Sequence, residues 1–435
     1  MRIKAPGLFI VVLIFCQSLW PQSLPIWKDP PQRLFIDDHF SIVYQQDVSS
    51  QITIVQILVR GGKKWQPPGL SGISYLTSRL ALEPPDSGKV RTLLKLGSAF
   101  SWQVEGDFAL MTVKCLSPHL EETLEIMTTI LADPLFSGLR IGHLKEQMEF
   151  QQKGQLDDPA AAVSQAVTDA FFTVPGYGGS VFGTEDSLKR IKRKDVEDFY
   201  EKYFNRANMA VAVTTDLAAD EIRRLVKSHF VRIPAGTPPP EVTAKTVVPG
   251  KREIVIVRER EQVLIAYAAP VPPLDRDNFV LAMLLEDLLA KGAGSRLWRL
   301  RAESKLAYTV DAQLNQMQDG GTLQVYLKTD QEKSQTALAA LKEEMLLLYK
   351  SGISAEELQM TKTHTRADFL RRSETKESRA LNLAFFEACG LGYRFLEDIF
   401  SALDAVTLRQ MNQYIKQVLH PHRLLLVTAG PKTQT

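Results

Sequence analysis

The feature that most constrains this chain is that it is written twice. "FALMTVKCLSPHLEETLEIMTTIL", from Phe108, opens with alternating apolar residues and then shifts to helical spacing at Leu120, Leu124, Met127 and Leu131. "TLQVYLKTDQEKSQTALAALKEEML", from Thr322, makes the same change. At a constant offset of 214 residues Leu124 falls on Leu338, Met127 on Leu341 and Leu131 on Met345. "DVEDFYEKYFNRANMAVAVTTD", from Asp195, reads as a helix, a polar turn and an apolar strand. "TLRQMNQYIKQVLHPHRLLLVTAG", from Thr407, reads as the same three pieces. Earlier in each copy, "ITIVQILVRGG" leads into an apolar helix just as "VLIAYAAPVPP" leads into "DNFVLAMLLEDLLAKG". A period of about 210 residues is far too long for a solenoid and implies a duplicated domain. Each copy mixes hairpin strands with long helices. That predicts an α+β fold of two homologous domains, each a mostly antiparallel sheet with helices packed on one face.

Composition is compatible with this. The chain has 435 residues, more than one core usually supports, and is 45% hydrophobic and 23% charged, which excludes a disordered or fibrous chain. The Pro-rich stretch "IPAGTPPPEVTAKTVVPG" (Ile233–Gly250) has no apolar period and reads as a linker. It places an N-terminal domain at 24–235, the linker at 236–250 and a C-terminal domain at 251–435. Ahead of them, Arg2 and Lys4 precede an apolar run from Leu8 to Cys16, with small residues at Ser18 and Ser23. That is the layout of a secretory signal over 1–23, and the run falls short of the roughly 20 residues that span a bilayer. The expected product is exported or periplasmic, with no stable membrane span once the signal is removed. Cys16 raises a lipoprotein alternative, against which the bulky Phe15 counts; an uncleaved anchor is the other. Without Arg2 and Lys4, 50 Lys+Arg face 50 Asp+Glu, so nothing favours nucleic acid or an anionic surface as partner. Cys115 and Cys389 remain, as one disulfide or, more simply, as two buried thiols.

Taken together, "VRGGKKWQPPGLSGISYL", "GTEDSLKRIKRKDVEDFYEKYF", "GAGSRLWRLRAESKLAY" and the paired strands "MAVAVTTD" and "LLLVTAG" resemble the pitrilysin/insulinase-like metallopeptidases. The resemblance covers nearly all of the chain after the signal. Active members carry an inverted zinc motif, H-x-x-E-H, on the first long helix of the N-terminal half. Two histidines one helical turn apart grip zinc, the Glu between them is the general base, and a Glu from a later helix is the third ligand. In "GLSGISYLTSRLAL" (Gly69–Leu82), aligning Gly72-Ile73-Ser74 puts Tyr75 and Arg79 at the histidine positions and Ser78 at the base. Counting back from Asp157–Pro159 in "HLKEQMEFQQKGQLDDP", the third ligand position goes to Gln151, or to Gln152 if the register slips by one. The resemblance thus implies no zinc and no other cofactor in this chain, with Arg79 setting a fixed positive charge where the cation would sit. The helix would then serve the core, through Leu70, Ile73, Leu76 and Leu80.

No other ligand set stands out. None of the seven histidines has another at helical spacing, and His143, Glu146 and Glu149 on one face read as a solvated surface. The C-terminal half differs. Relatives keep an Arg and a Tyr seven residues apart after a glycine-containing "SRL", and here Ser295, Arg296 and Leu297 are followed by Arg301 and Tyr308. In the family these side chains face the zinc of the catalytic half; the Arg holds substrate carbonyls and the phenol donates to the oxyanion. Ala302 departs from the usual acid and Lys305 from a glycine. The resemblance implies a noncatalytic, substrate-binding subunit of an exported heterodimeric peptidase. Its partner would be a catalytic, zinc-bearing paralogous subunit and its substrate unfolded peptide. A structural pseudopeptidase without a proteolytic partner is the alternative, and an enzyme with a different metal site a third.

Overall fold

The computed structural model describes residues 29–259, 262–292 and 294–431, so the signal expected over 1–23 lies outside the described residues. The first sheet has six strands: β1 (Gln32–Phe35), β2 (Ser41–Gln46), β3 (Ile52–Val59), β4 (Ala99–Val104), β5 (Ala109–Leu116) and β6 (Met209–Thr215). Their order is β1-β2-β6-β3-β5-β4. The second has five: β7 (Glu253–Val257), β8 (Gln262–Val271), β9 (Thr309–Met317), β10 (Gly320–Asp330) and β11 (Leu425–Gly430), ordered β7-β11-β8-β10-β9. Without β1 the two orders are the same. In each sheet one pair is parallel, β2 with β6 and β7 with β11, and the rest are antiparallel. The repeat also extends to the ladder. Met111 stands opposite Ile57, and Val325, 214 residues on, stands opposite Tyr267.

One face of each sheet packs on its own helices. Val55, Ile57 and Val59 share a core with the helices Ile73–Leu82 and Leu120–Ala132. Ile265, Tyr267 and Ala269 share one with Arg276–Ala290 and Ser334–Ser351. The opposite faces are covered by an exchange between the halves. Helix Lys376–Ala388 crosses to the first sheet, where Leu383 and Ala384 join Leu58 and Ala212. Helix Pro159–Phe171 crosses to the second, where Val163, Val167 and Phe171 meet Ala266, Ala268 and Val427. Covering both faces explains why β3, "ITIVQILV", is apolar nearly throughout, while the edge strand β4 alternates between exposed and half-buried positions.

Buried charge registers the two halves. Lys64, whose side chain is 1% exposed, sits 3.0 Å from Asp107 Oδ1 and 3.2 Å from Asp319 Oδ2, and donates to Gln318 Oε1 at 2.9 Å. Tyr177 donates to Asp107 Oδ1 at 2.6 Å, and the Gln318 N–H to its Oδ2 at 2.9 Å. Lys64, Asp107 and Tyr177 belong to the first half; Gln318 and Asp319 form the tip of the β9–β10 hairpin in the second. Removing one member would strand its partners in a dry interface, at about 3–5 kcal/mol. At the far end of the exchanged helix, Lys376 donates to the carbonyls of Asp47, Ser50 and Ile52 at 2.6, 2.7 and 3.0 Å. The Pro-rich segment carries neither helix nor strand. It is nonetheless tied down, with the Val247 N–H donating to Phe171 O at 2.7 Å and the Ala244 N–H to Asp319 Oδ2 at 2.8 Å. Cys115 and Cys389 are free thiols, and burial pushes the Cys115 thiol up to about 11.

Candidate functional site

The helix Ile73–Leu82 begins at Gly72, whose φ of +94° and close approach leave no room for a side chain. A Cβ there would lie 2.9 Å from Phe182 O. The Gly72 N–H is taken by Gln66 Oε1 at 2.6 Å, and Ser74 Oγ donates to Gly61 O, so the entry is fixed on both sides. At the exit Arg140 reaches back to Leu80 O at 3.5 Å and Glu83 O at 3.4 Å. Ile73, Leu76 and Leu80 are buried, while Leu70 is half-buried against the same core. The helix is a core element along its whole length.

Of the motif positions, Tyr75 meets the helix Gly138–Asp157. Tyr75, 7% exposed, donates to Gln151 Oε1 at 3.1 Å and is held edge-on by Trp102 and Phe182, with ring centroids 5.1 and 4.9 Å away. Burial raises the Tyr75 pKa, so the phenol keeps its proton. Arg79 lies over the Trp102 ring at 5.2 Å and pairs with Glu83, Nε to Oε2 at 3.0 Å. Ser78 is fully buried, its hydroxyl without a hydrogen-bond partner and with no base to activate it. Gln152 points elsewhere, donating to Gly183 O at 2.7 Å, so it is Gln151 that meets Tyr75. This set does not fit zinc, which takes thiolate, imidazole or carboxylate. The phenol is committed to an amide oxygen and the guanidinium carries its own positive charge. A direct side-chain hydrogen bond bridges the two helices instead. Among the described residues no group of three or more His, Cys, Asp or Glu could hold a metal ion, and His143 is engaged by Gln147 at 2.8 Å.

The C-terminal pair is displayed, not buried. Arg301, on the short helix Trp298–Ala302, is exposed and lies over the Trp298 ring at 4.9 Å. Tyr308, just before β9, is 54% exposed. Both line one cleft of about 330 Å³ with Lys305, Asp330 and Lys333. Lys305 has a φ of +52°, in the left-handed region that favours glycine. Tyr308 Oη donates to Asp330, 2.7 Å from each carboxylate oxygen, and that bond raises the phenol's pKa. Sequence reasoning missed Trp298 and Asp330. Trp298 stands three residues before Arg301, a helical spacing that could have flagged the stack. Asp330 has no local signal, because it reaches Tyr308 only through the pairing of β9 with β10.

The fold and this site define a duplicated two-sheet domain in which the helix Ile73–Leu82 is closed by its own side chains, with no ligand set for a metal ion among the described residues. Residues 41–185 match the family description Insulinase (Peptidase family M16), and residues 190–364 match Peptidase M16 inactive domain. The chain belongs to the M16 peptidase family, as a homologue of its inactive domain. It is 24% identical over 379 residues to an uncharacterized zinc protease of Mycobacterium leprae, covering 84% of each protein. It is 20% identical over 381 residues to the non-peptidase homolog YmxG of Helicobacter pylori, covering 86% of this chain and 88% of that protein. The crystal structure of a peptidase M16 inactive domain from Pseudomonas fluorescens superposes with a TM-score of 0.84 at 20% identity, over 93% of this chain and 98% of that one.

Proposed function

We propose that this chain is the noncatalytic, substrate-binding subunit of a heterodimeric zinc peptidase. A zinc-bearing M16 paralogue would supply the metal and the base, and this chain would supply Arg301 and Tyr308 to unfolded peptide held between them. One contrast carries the reading. The motif helix has closed over a phenol–amide bond, while Arg301 and Tyr308 stand exposed in a single cleft. Arg301 can fork onto backbone carbonyls, and the Tyr308 hydroxyl can donate to an oxyanion once it leaves Asp330. Export fits the same picture, with residues 1–23 removed; N-terminal sequencing that starts at Met1 on cytoplasmic protein would refute that part. The main test is to purify the native protein, identify what accompanies it, and assay both for zinc. The expected result is a metal-free chain, inert alone, that co-purifies with an M16 chain carrying an intact H-x-x-E-H and restores its turnover. About one tightly held zinc in this chain, with chelator-sensitive hydrolysis, sinks the reading.

One observation favours a second reading, an interaction pseudopeptidase without a proteolytic partner. The Tyr308 hydroxyl already donates its hydrogen bond to Asp330. Co-purification with proteins that carry no metal motif would support it.

A further inference from the structure

We propose that the cavity between the helices Arg276–Ala290, Ala355–Arg372 and Lys376–Ala388 is a binding site for an apolar group carrying a protonated amine or guanidinium. This cavity has a defined place in the duplication. Helix Arg276–Ala290 packs on β9 and on Ala355–Arg372 as Ile73–Leu82 packs on β4 and on Gly138–Asp157. The cavity is therefore the second half's counterpart of the filled motif site, and here the space is open, at about 410 Å³, within the range of small-ligand sites. Its walls are apolar and aromatic: Phe279, Met283, Leu314, Phe369 and Phe385.

The acidic groups in it are not equally available. Asp368 is committed to Arg372, with Nε 2.6 Å away, and to Arg371. Glu286 accepts from the Leu314 N–H at 3.1 Å and has Lys291 at 3.6 Å. Asp287 is different. Its side chain is 5% exposed and its Oδ2 accepts no hydrogen bond; its ion-pair partner, His364 Nδ1 at 3.6 Å, carries charge only when protonated. Gln316, also lining the cavity, has both ends of its amide unpartnered. A buried carboxylate short of partners costs free energy that an incoming cation would offset, and aromatic faces favour the same charge. Burial raises the pKa of both Glu286 and Asp287, outweighing the pull of Lys291 on the first, of His364 on the second and of Arg372 on both. The residues make no metal cage, which leaves an organic cation as the fitting occupant.

The test is calorimetry on the whole chain with 4-phenylbutylamine, its neutral analogue 4-phenylbutanol, and end-blocked peptides bearing either lysine or norleucine. The amine should bind saturably, and the alcohol about tenfold or more weaker. Asp287→Asn should weaken the amine by a similar factor, raise the melting temperature of the free chain, and leave its circular dichroism unchanged. Met283→Trp, which fills the cavity without touching a carboxylate, should abolish binding. If the lysine peptide competes and the norleucine peptide does not, the occupant is a peptide side chain; if the free amine alone binds, it is a small amine. The proposal is overturned if neither amine nor lysine peptide binds saturably, if the alcohol binds as well as the amine, or if Met283→Trp binds like wild type.

Discussion

The motif helix of the first half and the Arg301–Tyr308 cleft of the second descend from one architecture and now answer to different constraints. In the first, every motif side chain but Ser78 has been given a partner inside the protein: Tyr75 has Gln151 and two aromatic rings, and Arg79 has Glu83 and Trp102. In the second, the side chains stay exposed around a cleft. A region folded into the core answers to packing, which decides what substitutions cost. A region on the surface answers to what it meets there, and substitutions in it cost little stability. The comparison therefore predicts a double dissociation. Variants of the helix should change stability without a specific effect on activity, and variants of the cleft should do the reverse.

The largest effect on stability should come from Tyr75→Ala. It removes a buried ring wedged between Trp102 and Phe182 and leaves a cavity that the two sheet-packed helices cannot collapse onto. Such deletions cost about 3–5 kcal/mol. Chemical denaturation measures it, with two spectroscopic probes followed together to establish a single transition for the two-sheet chain. A loss under about 1 kcal/mol would mean that the site tolerates space, and the absorbed-core account would fail. Replacing Tyr75 and Arg79 by histidine should still give no tightly held zinc, since Ser78 and Gln151 supply neither base nor third ligand.

The mirror experiment is Tyr308→Phe, read in complex with a zinc-bearing partner. Loss of a preorganised oxyanion donor lowers kcat by on the order of 10²–10³, or about 3–4 kcal/mol on the barrier. Free-chain stability should move little, because the phenol is exposed and its bond to Asp330 is solvated. Arg301→Ala should chiefly raise KM, as it removes binding shared by substrate and transition state. Assembly, followed by gel filtration, should be unchanged for both. Full activity in both assembled mutants would make the cleft a scaffold feature and favour the pseudopeptidase reading.

Much of this was legible in the sequence, and the parts that were not share a cause. The strand-to-helix changes at Phe108 and Thr322 carry the duplication, because a period-2 run and a 3.6-residue run are local signals. The absence of His and Glu at 75, 78, 79 and 151 is equally local. The exchange of Pro159–Phe171 and Lys376–Ala388 between the sheets was not legible. An apolar helix face does not say which sheet it will cover, and each helix lies in sequence between two strands of its own sheet, β5 and β6 for one and β10 and β11 for the other. Nor was the Lys64 network, whose members are spread from position 64 to 319. A lysine next to a tryptophan reads as a surface pair until the fold buries it.

A smaller contrast separates the two helix pairs by pH. The first pair meets through a neutral phenol and amide, whereas the second holds Glu286 and Asp287 with pKa values raised by burial. A carboxyl whose folded pKa exceeds its unfolded value favours folding while it is protonated. That contribution is present below the unfolded values near 4 and is lost as pH rises through the raised folded values. Asp287→Asn with Glu286→Gln should remove this loss and flatten the stability profile on the alkaline side of the ordinary carboxyl range. Tyr75→Phe should leave the profile's shape alone. An unchanged slope in the double variant would mean that the two carboxyls titrate as free ones do.

The smallest effect should be at Lys305. Its φ of +52° is the only positive value at a non-glycine position among the described residues, in the loop that carries Tyr308 to the cleft. A left-handed backbone costs an L-residue roughly 1–2 kcal/mol, and glycine escapes that cost while adding freedom to the unfolded chain. Lys305→Gly should therefore stabilise the chain by a net of about 0.5–1 kcal/mol. Lys305→Ala tests the cause, because it removes the same side-chain charge and keeps the strain; it should stabilise little or not at all. If both variants stabilise equally, the gain came from relieving the positive charge that Lys305 shares with Arg301 and Lys333 around the cleft, and backbone strain is not the reason. If the glycine variant alone stabilises but peptide turnover by the assembled pair falls, the lysine is kept for its charge beside the substrate. That outcome would move Lys305 from the loop's geometry into the cleft's function, and the boundary between the two regions would shift by one residue.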